Sequence, residues 1–288
     1  FHYENTLDMQ LVRHIRLPRA LTSLMVGGLL AMSGAMMQGV TRNPLTEPSL
    51  MGITQGATLA VALLYAITGS ATAKDSMISA FIGAFVSGIL VLLFTIRNTR
   101  SMNISRLLLA GTALSMFFLS LSSLVGILSN NSQNLAFWIS GGLRSVTYST
   151  LLLVFILGII GILLALLLSS KINIVNLGED VSIGLGVNPI KIRTLTLLLI
   201  IPISAVCVAA AGNIAFLGLI VPQIVIKLIG QDFRKIIPVS FLGGALLLVW
   251  ADLAARMIQQ PYETPVGVFT ALIGVPFFLW LVRKRHTI

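Results

Sequence analysis

Two groups of charged residues in this 288-residue chain have the types and spacing to bind a charged partner. Arg13, Arg16 and Arg19 stand three residues apart, just before a long apolar run. Guanidinium groups bind carboxylates and phosphates through paired hydrogen bonds. This group is therefore suited either to an acidic protein surface or to lipid phosphates, and the residues alone leave both alternatives open.

Asp252 and Arg256 form the second group, near the end of another apolar run. Their spacing of four places both side chains on one face of a helix, with the acid first, which is the favourable order. Ionisable residues within a membrane span are costly and usually face a protein interior or an aqueous cavity. The pair is thus either structural or part of a functional site. Arg42 and Glu47, which follow the first apolar run, could form a further pair.

Residues for several kinds of catalysis are missing from the sequence. Gly34–Gly39 has the glycine spacing of a phosphate-binding loop, but Val40 stands where that loop needs lysine. The three histidines lie near the chain ends and Cys207 is the single cysteine, so neither a metal site nor an intrachain disulfide is predicted. A membrane enzyme is not indicated. Two classes remain: a transporter driven by a separate ATPase, and a secondary transporter in which Asp252 is the candidate for ion coupling.

Membrane-spanning helices are the elements that must position these residues. The chain is 56% hydrophobic and 10% charged, against roughly 25% charged in a soluble domain. A spanning helix needs about 20 mostly apolar residues. We predict an all-α polytopic membrane protein whose residues 1–288 form one transmembrane domain. Nine spans are predicted: Ala20–Val40, Leu50–Thr68, Ser76–Ile96, Leu107–Leu128, Thr150–Leu168, Thr194–Ala211, Ile214–Ile229, Ile236–Ala255 and Val266–Val282.

The distribution of positive charge predicts the orientation. If the basic C-terminal segment 283–285 is cytoplasmic, 13 of the 19 Lys and Arg residues lie inside, which agrees with the positive-inside rule. The first residues then lie outside a cell membrane and the C-terminus lies in the cytoplasm. Topology thus explains the net charge of +10, and no nucleic-acid partner is predicted. Because the chain begins at Phe1 with a polar segment, we expect one further span before it.

The longest polar stretch between spans, residues 169–193, is cytoplasmic by this count. Its apolar residues are interrupted by Gly178, Gly184, Gly186 and Pro189, a pattern typical of two short helices with a glycine break. Short helices that expose apolar residues either dock on a partner surface or lie among lipid headgroups. The sequence does not decide between these two alternatives.

Two further features concern the organisation of the chain. Gly34 and Pro44 are ten residues apart, as are Gly212 and Pro222, and both pairs lie where one predicted span gives way to the next. This spacing suggests two related halves of opposite orientation, as in many transporters. The half-apolar segment Asn134–Val146 is expected to lie at the membrane interface.

Five motifs, taken in order, resemble the permease subunits of the type II ABC importers for iron–siderophores, haem and cobalamin, and they cover essentially the whole chain. The motifs are Ile15-Arg16-Leu17-Pro18-Arg19; Ser33-Gly34-Ala35 through Gln38 with Asn43-Pro44-Leu45-Thr46-Glu47-Pro48; Arg106-Leu107-Leu108-Leu109-Ala110-Gly111; Leu177-Gly178-Glu179 with Leu185-Gly186-Val187; and Gly212 through Pro222 with Asp252, Arg256, Glu263 and Pro265-Val266-Gly267.

The resemblance implies an inverted-repeat fold with ten spans and a role in ATP-driven import. The chain would be a permease without ATPase activity, passing an iron–siderophore inward, with a ferric hydroxamate such as ferrichrome as the first guess. The implied partners are a second permease, identical or related, two cytoplasmic ATPases, an external substrate-binding protein and membrane lipid. The chain itself would bind no cofactor, since ATP and magnesium would bind the ATPases.

The resemblance also implies roles for particular residues. Arg16, Arg19 and Arg256 correspond to arginines that face acidic residues of the binding protein. The loop that couples to the ATPase maps onto Leu177, Gly178, Glu179, Val181, Ile183, Gly184, Leu185, Gly186 and Val187. Structural or pathway roles map onto Gly34, Gln38, Asn43, Pro44, Glu47, Pro48, Gly212, Gly218, Pro222, Asp252, Glu263, Pro265 and Gly267.

The chain departs from the usual motifs at four positions. Gln223 follows Pro222 in place of histidine, and Ile226 stands where an arginine is usual. Phe233 replaces the histidine of Asp-His-Arg, and Thr264 replaces the leucine of Glu-Leu-Pro. These departures suit one member of a heterodimeric permease pair.

Overall fold

The computed structural model describes residues 7–96, 104–143, 146–258 and 263–285. All regular structure within these ranges is helical, as predicted. The helices are α1 (Leu7–Leu11), α2 (Leu17–Thr41), α3 (Ile53–Thr68), α4 (Ala73–Ile96), α5 (Ile104–Leu128), α6 (Ser132–Ser140), α7 (Tyr148–Leu177), α8 (Glu179–Gly184), α9 (Pro189–Ala211), α10 (Leu217–Ile229), α11 (Phe233–Met257) and α12 (Val266–Arg285). A π-helical turn (Val12–Arg16) leads into α2, and a 3-10 turn (Pro48–Met51) precedes α3.

Each of the nine predicted spans coincides with an apolar helix of the described chain. Six helical segments are long and apolar enough to cross a membrane, and three shorter apolar helices account for the other spans. Two of the short helices begin later than predicted: α3 at Ile53 and α10 at Leu217. Arg97, Arg100 and Arg144, which contributed to the predicted orientation, lie outside the described residues.

Helix α2 forms the centre of the bundle. It packs against α7, α9, α10 and α11. In the 18-residue apolar stretch of the helical segment Met9–Thr41, 83% is buried within the protein. In the corresponding stretch of Ser105–Leu128 in α5, 11% is buried. Helices in lipid associate through close packing of small residues, and a Cβ on Gly27 of α2 would overlap the backbone oxygen of Gly244 in α11. Glycine therefore lets the two backbones meet directly.

A second close crossing joins α2 to α10. A Cβ on Gly34 would overlap the backbone of Gly218. Pro222 lies inside α10 and has no N–H, so the Gly218 carbonyl four residues earlier loses its helical donor. Gln38 replaces that donor, with its Nε2 3.0 Å from the Gly218 oxygen. Within lipid every backbone polar group needs a partner inside the protein, which explains a buried amide at this depth.

The Gln38 amide is itself held by the residue that departs from the family pattern. Nε2 of Gln223 donates to Oε1 of Gln38 at 2.7 Å, and both side chains are buried. The substitution of glutamine for histidine therefore completes a chain of hydrogen bonds that ends on the backbone of α10. Gln38 joins the two bonds because its amide accepts through Oε1 and donates through Nε2.

Helices α3 and α10 both start beside the middle of α2, next to each other. The Gly218 backbone faces Leu30 of α2 and Pro48 of the turn before α3. The Glu47 carboxylate accepts hydrogen bonds from the Ser49 hydroxyl at 2.6 Å and from the Phe216 N–H at 3.2 Å. The carboxylate therefore lies at the N-terminal, positive end of α10.

The described residues decide two expectations about this part of the chain. Glu47 pairs with Ser49 and Phe216 rather than with Arg42, so the alternative of an ion pair between Arg42 and Glu47 is wrong. Gly34 lies inside α2, whereas Gly212 caps the end of α9, so their matched spacing to proline is not a structural equivalence. The internal likeness lies instead in the order of elements, since α2 and α9 are each followed by an irregular segment and a short helix.

The segment 169–193 also differs from its prediction. Helix α7 continues to Leu177, because Ile172 and Val175 are buried in the bundle. Gly178, at φ +132°, ends α7 in a conformation that few other residues adopt. Only α8 is a separate short helix, and α9 follows from Pro189. Residues 169–193 thus comprise the end of α7, the six-residue helix α8 and the start of α9.

A double-mutant cycle on Gln38 and Pro222 tests the hydrogen bond between α2 and α10. Gln38→Leu should lower the free energy of unfolding by about 1–3 kcal/mol, because it leaves the Gly218 carbonyl without a donor. In a Pro222→Ala background the new Ala N–H can donate to that carbonyl, so Gln38→Leu should cost measurably less. Denaturant unfolding in detergent gives both values. Equal costs in the two backgrounds would contradict the assignment.

Candidate functional site

An ion-pair cluster ties α2 to α11 at one end of the bundle, which we call the Arg19 side. Arg19 is 5% exposed, and its Nε and Nη2 lie 3.0 and 2.8 Å from Oδ1 of Asp252. Its Nη1 lies 2.8 Å from Oε1 of Glu263. One guanidinium therefore holds two carboxylates, one from α11 and one from the α11–α12 connection, with the paired geometry that arginine favours.

Arg256 extends this cluster toward solvent. Its Nη2 lies 3.1 Å from Oδ2 of Asp252, which confirms the pair predicted from their spacing of four. Arg256 also donates from Nε to the Asp252 backbone oxygen at 3.3 Å. Its side chain is 26% exposed, whereas that of Asp252 is 1% exposed. Asp252 is thus neutralised from both sides, while Arg256 keeps an accessible face.

The placement of Arg19 differs from its prediction. The resemblance leads us to expect that Arg16 and Arg19 both face an acidic partner, but only Arg16 is exposed. Arg19 is one helical turn further on, where α2 enters the bundle, and there a guanidinium is stable only if carboxylates neutralise it. Arg19 is therefore positioned to hold Asp252 and Glu263 in place. Among the described residues, Arg13 and Arg16 are the exposed arginines of this side, and Arg256 is partly exposed.

Pro265 and Gly267 fix the start of α12 next to this cluster. A Cβ on Gly267 would lie 2.8 Å from the backbone oxygen of Ser140 at the end of α6. Gly212, in a left-handed conformation at the end of α9, meets the same turn, and the Gly142 N–H donates to the Ala211 oxygen at 2.9 Å. The glycines thus hold α6, α9 and α12 together on the Arg19 side.

Arg193 occupies the opposite end of the bundle, which we call the Arg193 side. It lies in the second turn of α9 and is 5% exposed. Its Nε donates to the Val40 carbonyl at 3.1 Å, and its Nη1 lies 3.4 Å from Oε2 of Glu179. Sequence reasoning missed this residue, because an arginine between spans is also what the positive-inside rule predicts.

The segment Leu177–Val187, predicted to couple to the ATPase and called the coupling segment below, exposes a row of apolar side chains on the Arg193 side. Leu177, Val181, Ile183 and Leu185 are between 47% and 62% exposed. Ser182 is fully buried beneath them, and its hydroxyl donates to the Ile174 carbonyl at 3.0 Å. The segment is therefore fixed on the bundle from within while its apolar surface faces outward.

A polar cavity of about 280 Å³ lies beside the coupling segment. Gln223 and Arg42 contribute to its walls together with the turn residues Asn43 and Pro44. The Asn43 side-chain oxygen accepts from the Leu45 N–H at 3.0 Å, which fixes this turn. Ile226, which replaces the usual arginine, gives the cavity an apolar wall.

The Asp232 carboxylate caps the first turn of α11 close to this cavity. It accepts hydrogen bonds from the Asn173 amide at 2.7 Å and from the Arg234 N–H at 3.0 Å. The bond from Asn173, and then that from Arg234, lower the pKa of Asp232. Phe233 is buried against Gly39 of α2. The departure at 233 therefore places an apolar contact where the family usually has histidine.

The structure brings the predicted residues together in three places. Arg19, Asp252, Arg256 and Glu263 form the ion-pair cluster on the Arg19 side. A second group lies around the middle of α2 and includes residues of the α2–α3 connection and of α10. Its members are Gly34, Gln38, Glu47, Pro48, Gly218 and Pro222. Arg42, Asn43 and Pro44 lie near the coupling segment. Among the described residues no group of three or more metal-ligating side chains occurs.

Comparisons with known proteins agree with this arrangement. The model of the FecCD transport family matches residues 1–284. The iron(3+)-hydroxamate import system permease protein FhuB of Bacillus subtilis is 40% identical over 287 residues, which cover 99% of this chain and 75% of that protein. The Fe(3+)-citrate import system permease protein YfmD of the same organism is 39% identical over 288 residues, covering 100% and 86%.

A solved structure shows the same fold. It is described as an inward-facing conformation of a metal-chelate type ABC transporter and superposes with a TM-score of 0.88 at 31% identity. The match covers 98% of this chain and 90% of that one.

Removing the Arg19 guanidinium tests whether it is the buried neutraliser of this cluster. Arg19→Met should lower the free energy of unfolding by about 3–5 kcal/mol, since it leaves two carboxylates without their shared cation. The matched control, Arg16→Met, removes an exposed arginine three residues earlier and should change stability by no more than about 0.5 kcal/mol. Unfolding in detergent measures both. Equal effects of the two substitutions would refute the burial of Arg19.

Proposed function

The chain belongs to the FecCD transport family, and from that membership we propose that it passes a ferric hydroxamate from an external binding protein into the cytoplasm. It is a permease subunit of an iron-chelate ABC import system in the cell membrane. It is not itself an enzyme, and the ATPase is a separate subunit. Family membership therefore favours ATP as the energy source over the alternative of a secondary transporter.

The match to a hydroxamate permease over 99% of the chain is the observation that carries the choice of substrate. The citrate permease at 39% identity makes ferric citrate the competing substrate. Both chelates present Fe(III) in an oxygen-rich ligand shell, so the permease must distinguish them by the shape and polarity of the ligand shell.

Docking of the binding protein is proposed at the Arg19 side. Arg16 is exposed there and Arg256 keeps an accessible face beside Asp252, so both can pair with acidic residues of a partner. Arg19 contributes from beneath, because it fixes the carboxylate that orients Arg256. In this proposal the Arg19 side lies outside the cell, as the distribution of charge predicts.

Docking of the ATPase is proposed at the coupling segment, within the region 169–193. Its exposed apolar side chains suit a hydrophobic groove on a partner, and the buried Ser182 fixes them to the bundle. Two ATPases and two permeases would form the importer. Helix α5 is available to a second permease, because little of it is buried within this chain.

Uptake by the complete importer tests this proposal. Liposomes that contain the permease with its ATPase and binding protein should accumulate radiolabelled ferric ferrichrome only when ATP is enclosed at the ATPase side. Collapse of the proton gradient with an ionophore should leave uptake unchanged. Excess unlabelled ferrichrome should abolish uptake of the label, and excess ferric citrate should not.

Two results would count against the proposal. Uptake that stops with the ionophore and persists without ATP would establish a secondary transporter. Competition by ferric citrate as strong as that by ferrichrome would reassign the substrate while leaving the importer mechanism intact.

A further inference from the structure

We propose that Arg193 is the positioning residue through which movement of the coupling segment reaches α2, and through α2 the docking side of the molecule. The inference rests on the proposed function, since it assumes an ATPase at the coupling segment and a binding protein at the Arg19 side. It concerns an arginine that none of the sequence motifs includes.

The guanidinium of Arg193 joins three elements that are distant in the chain. Arg193 belongs to α9, its Nε bonds the Val40 carbonyl in the last turn of α2 at 3.1 Å, and its Nη1 pairs with Glu179 at the start of α8 at 3.4 Å. The Ser182 hydroxyl of α8 bonds the carbonyls of Ile174 and Gly178, at the end of α7, and does not reach α2. The Arg193 contact is thus the polar link that leads from the coupling helix to α2.

The electrostatics of both contacts favour this arrangement. The Val40 carbonyl is among the last four of α2, which lack a donor within the helix, and a cation is stabilised at that negative end. Glu179 is the first residue of α8, where an anion is stabilised by the positive end. The bond to Val40 is buried, whereas the Glu179 side chain is 41% exposed. The link to α2 is therefore the firmer one, and the link to α8 is the one that can respond to a bound partner.

Helix α2 is suited to carry a displacement across the membrane. From Val40 to Arg19 it spans 21 residues, about 32 Å at 1.5 Å per residue. It is the most buried of the apolar helical segments described. At its far end Arg19 holds Asp252 and Glu263, and Asp252 orients Arg256. A guanidinium at each end therefore connects α2 to one of the two proposed docking surfaces.

Coupling measured on the reconstituted importer tests the role of Arg193. With ferrichrome-loaded binding protein, the readouts are the stimulation of ATP hydrolysis by that protein and the iron transported per ATP. Arg193→Met should keep the ATPase bound through purification and keep basal hydrolysis, while stimulation falls at least about fivefold, the lower end of typical coupling between sites. Glu179→Gln weakens only the exposed contact, so it should shift both readouts in the same direction by less.

Lys235→Met is the matched control, because it removes an exposed cation at the same end of the bundle and should behave as the unmodified protein. The inference is overturned if Arg193→Met and Glu179→Gln both retain normal stimulation and normal iron per ATP. It is also overturned if stimulation falls only in proportion to ATPase lost from the complex, since that would show a purely structural role. If the unmodified importer shows no ATP-dependent uptake, the proposed function itself fails, and the inference fails with it.

Discussion

The rest of this structure depends on one constraint, which is that backbone N–H and C=O groups away from water must find hydrogen-bond partners within the protein. A backbone group that loses its helical partner inside a membrane must find another within the protein. Two irregular segments, 42–47 and 212–216, interrupt the helical structure and lead to short helices that start beside the middle of α2. Gln38 satisfies the carbonyl freed by Pro222, and Glu47 accepts from the N–H of Phe216. Because these acceptors and donors come from α2 and the connection after it, the helices that start in these segments depend on a largely buried α2.

The buried arginines at the two ends of α2 likewise need partners within the protein. Arg19 and Arg193 are each only 5% exposed, and each uses its several donors to hold more than one acceptor. A lysine at either position could not supply the same fixed set of donors. The arginines therefore connect elements rather than simply mark the ends of spans. One of them lies beneath the proposed docking arginines and the other beneath the coupling segment.

The sequence predicted the number and position of the apolar helices because length and hydropathy alone decide which runs can cross lipid. It could not place the starts of α3 and α10, because the irregular residues before them include apolar and small residues that also occur in spans. The burial of Arg19 could not be predicted, because a motif does not tell which side of a helix meets another. The pairing of Asp252 with Arg256 was predicted correctly, because a spacing of four places both side chains on one helix face. The role of Gln223 could not be predicted from the sequence, because it depends on the fold, which brings Gln223 into hydrogen-bond contact with Gln38.

We infer that α2 is a single rigid connection between the two proposed docking surfaces. The most direct test of this inference is whether substitutions at the two ends act non-additively on the stimulation of ATP hydrolysis by loaded binding protein. If α2 is one connection, the double variant Arg19→Lys with Arg193→Met should lose no more stimulation than the more severe single variant. Independent losses that multiply in the double variant would contradict the account, since they would show that the two arginines act through separate routes.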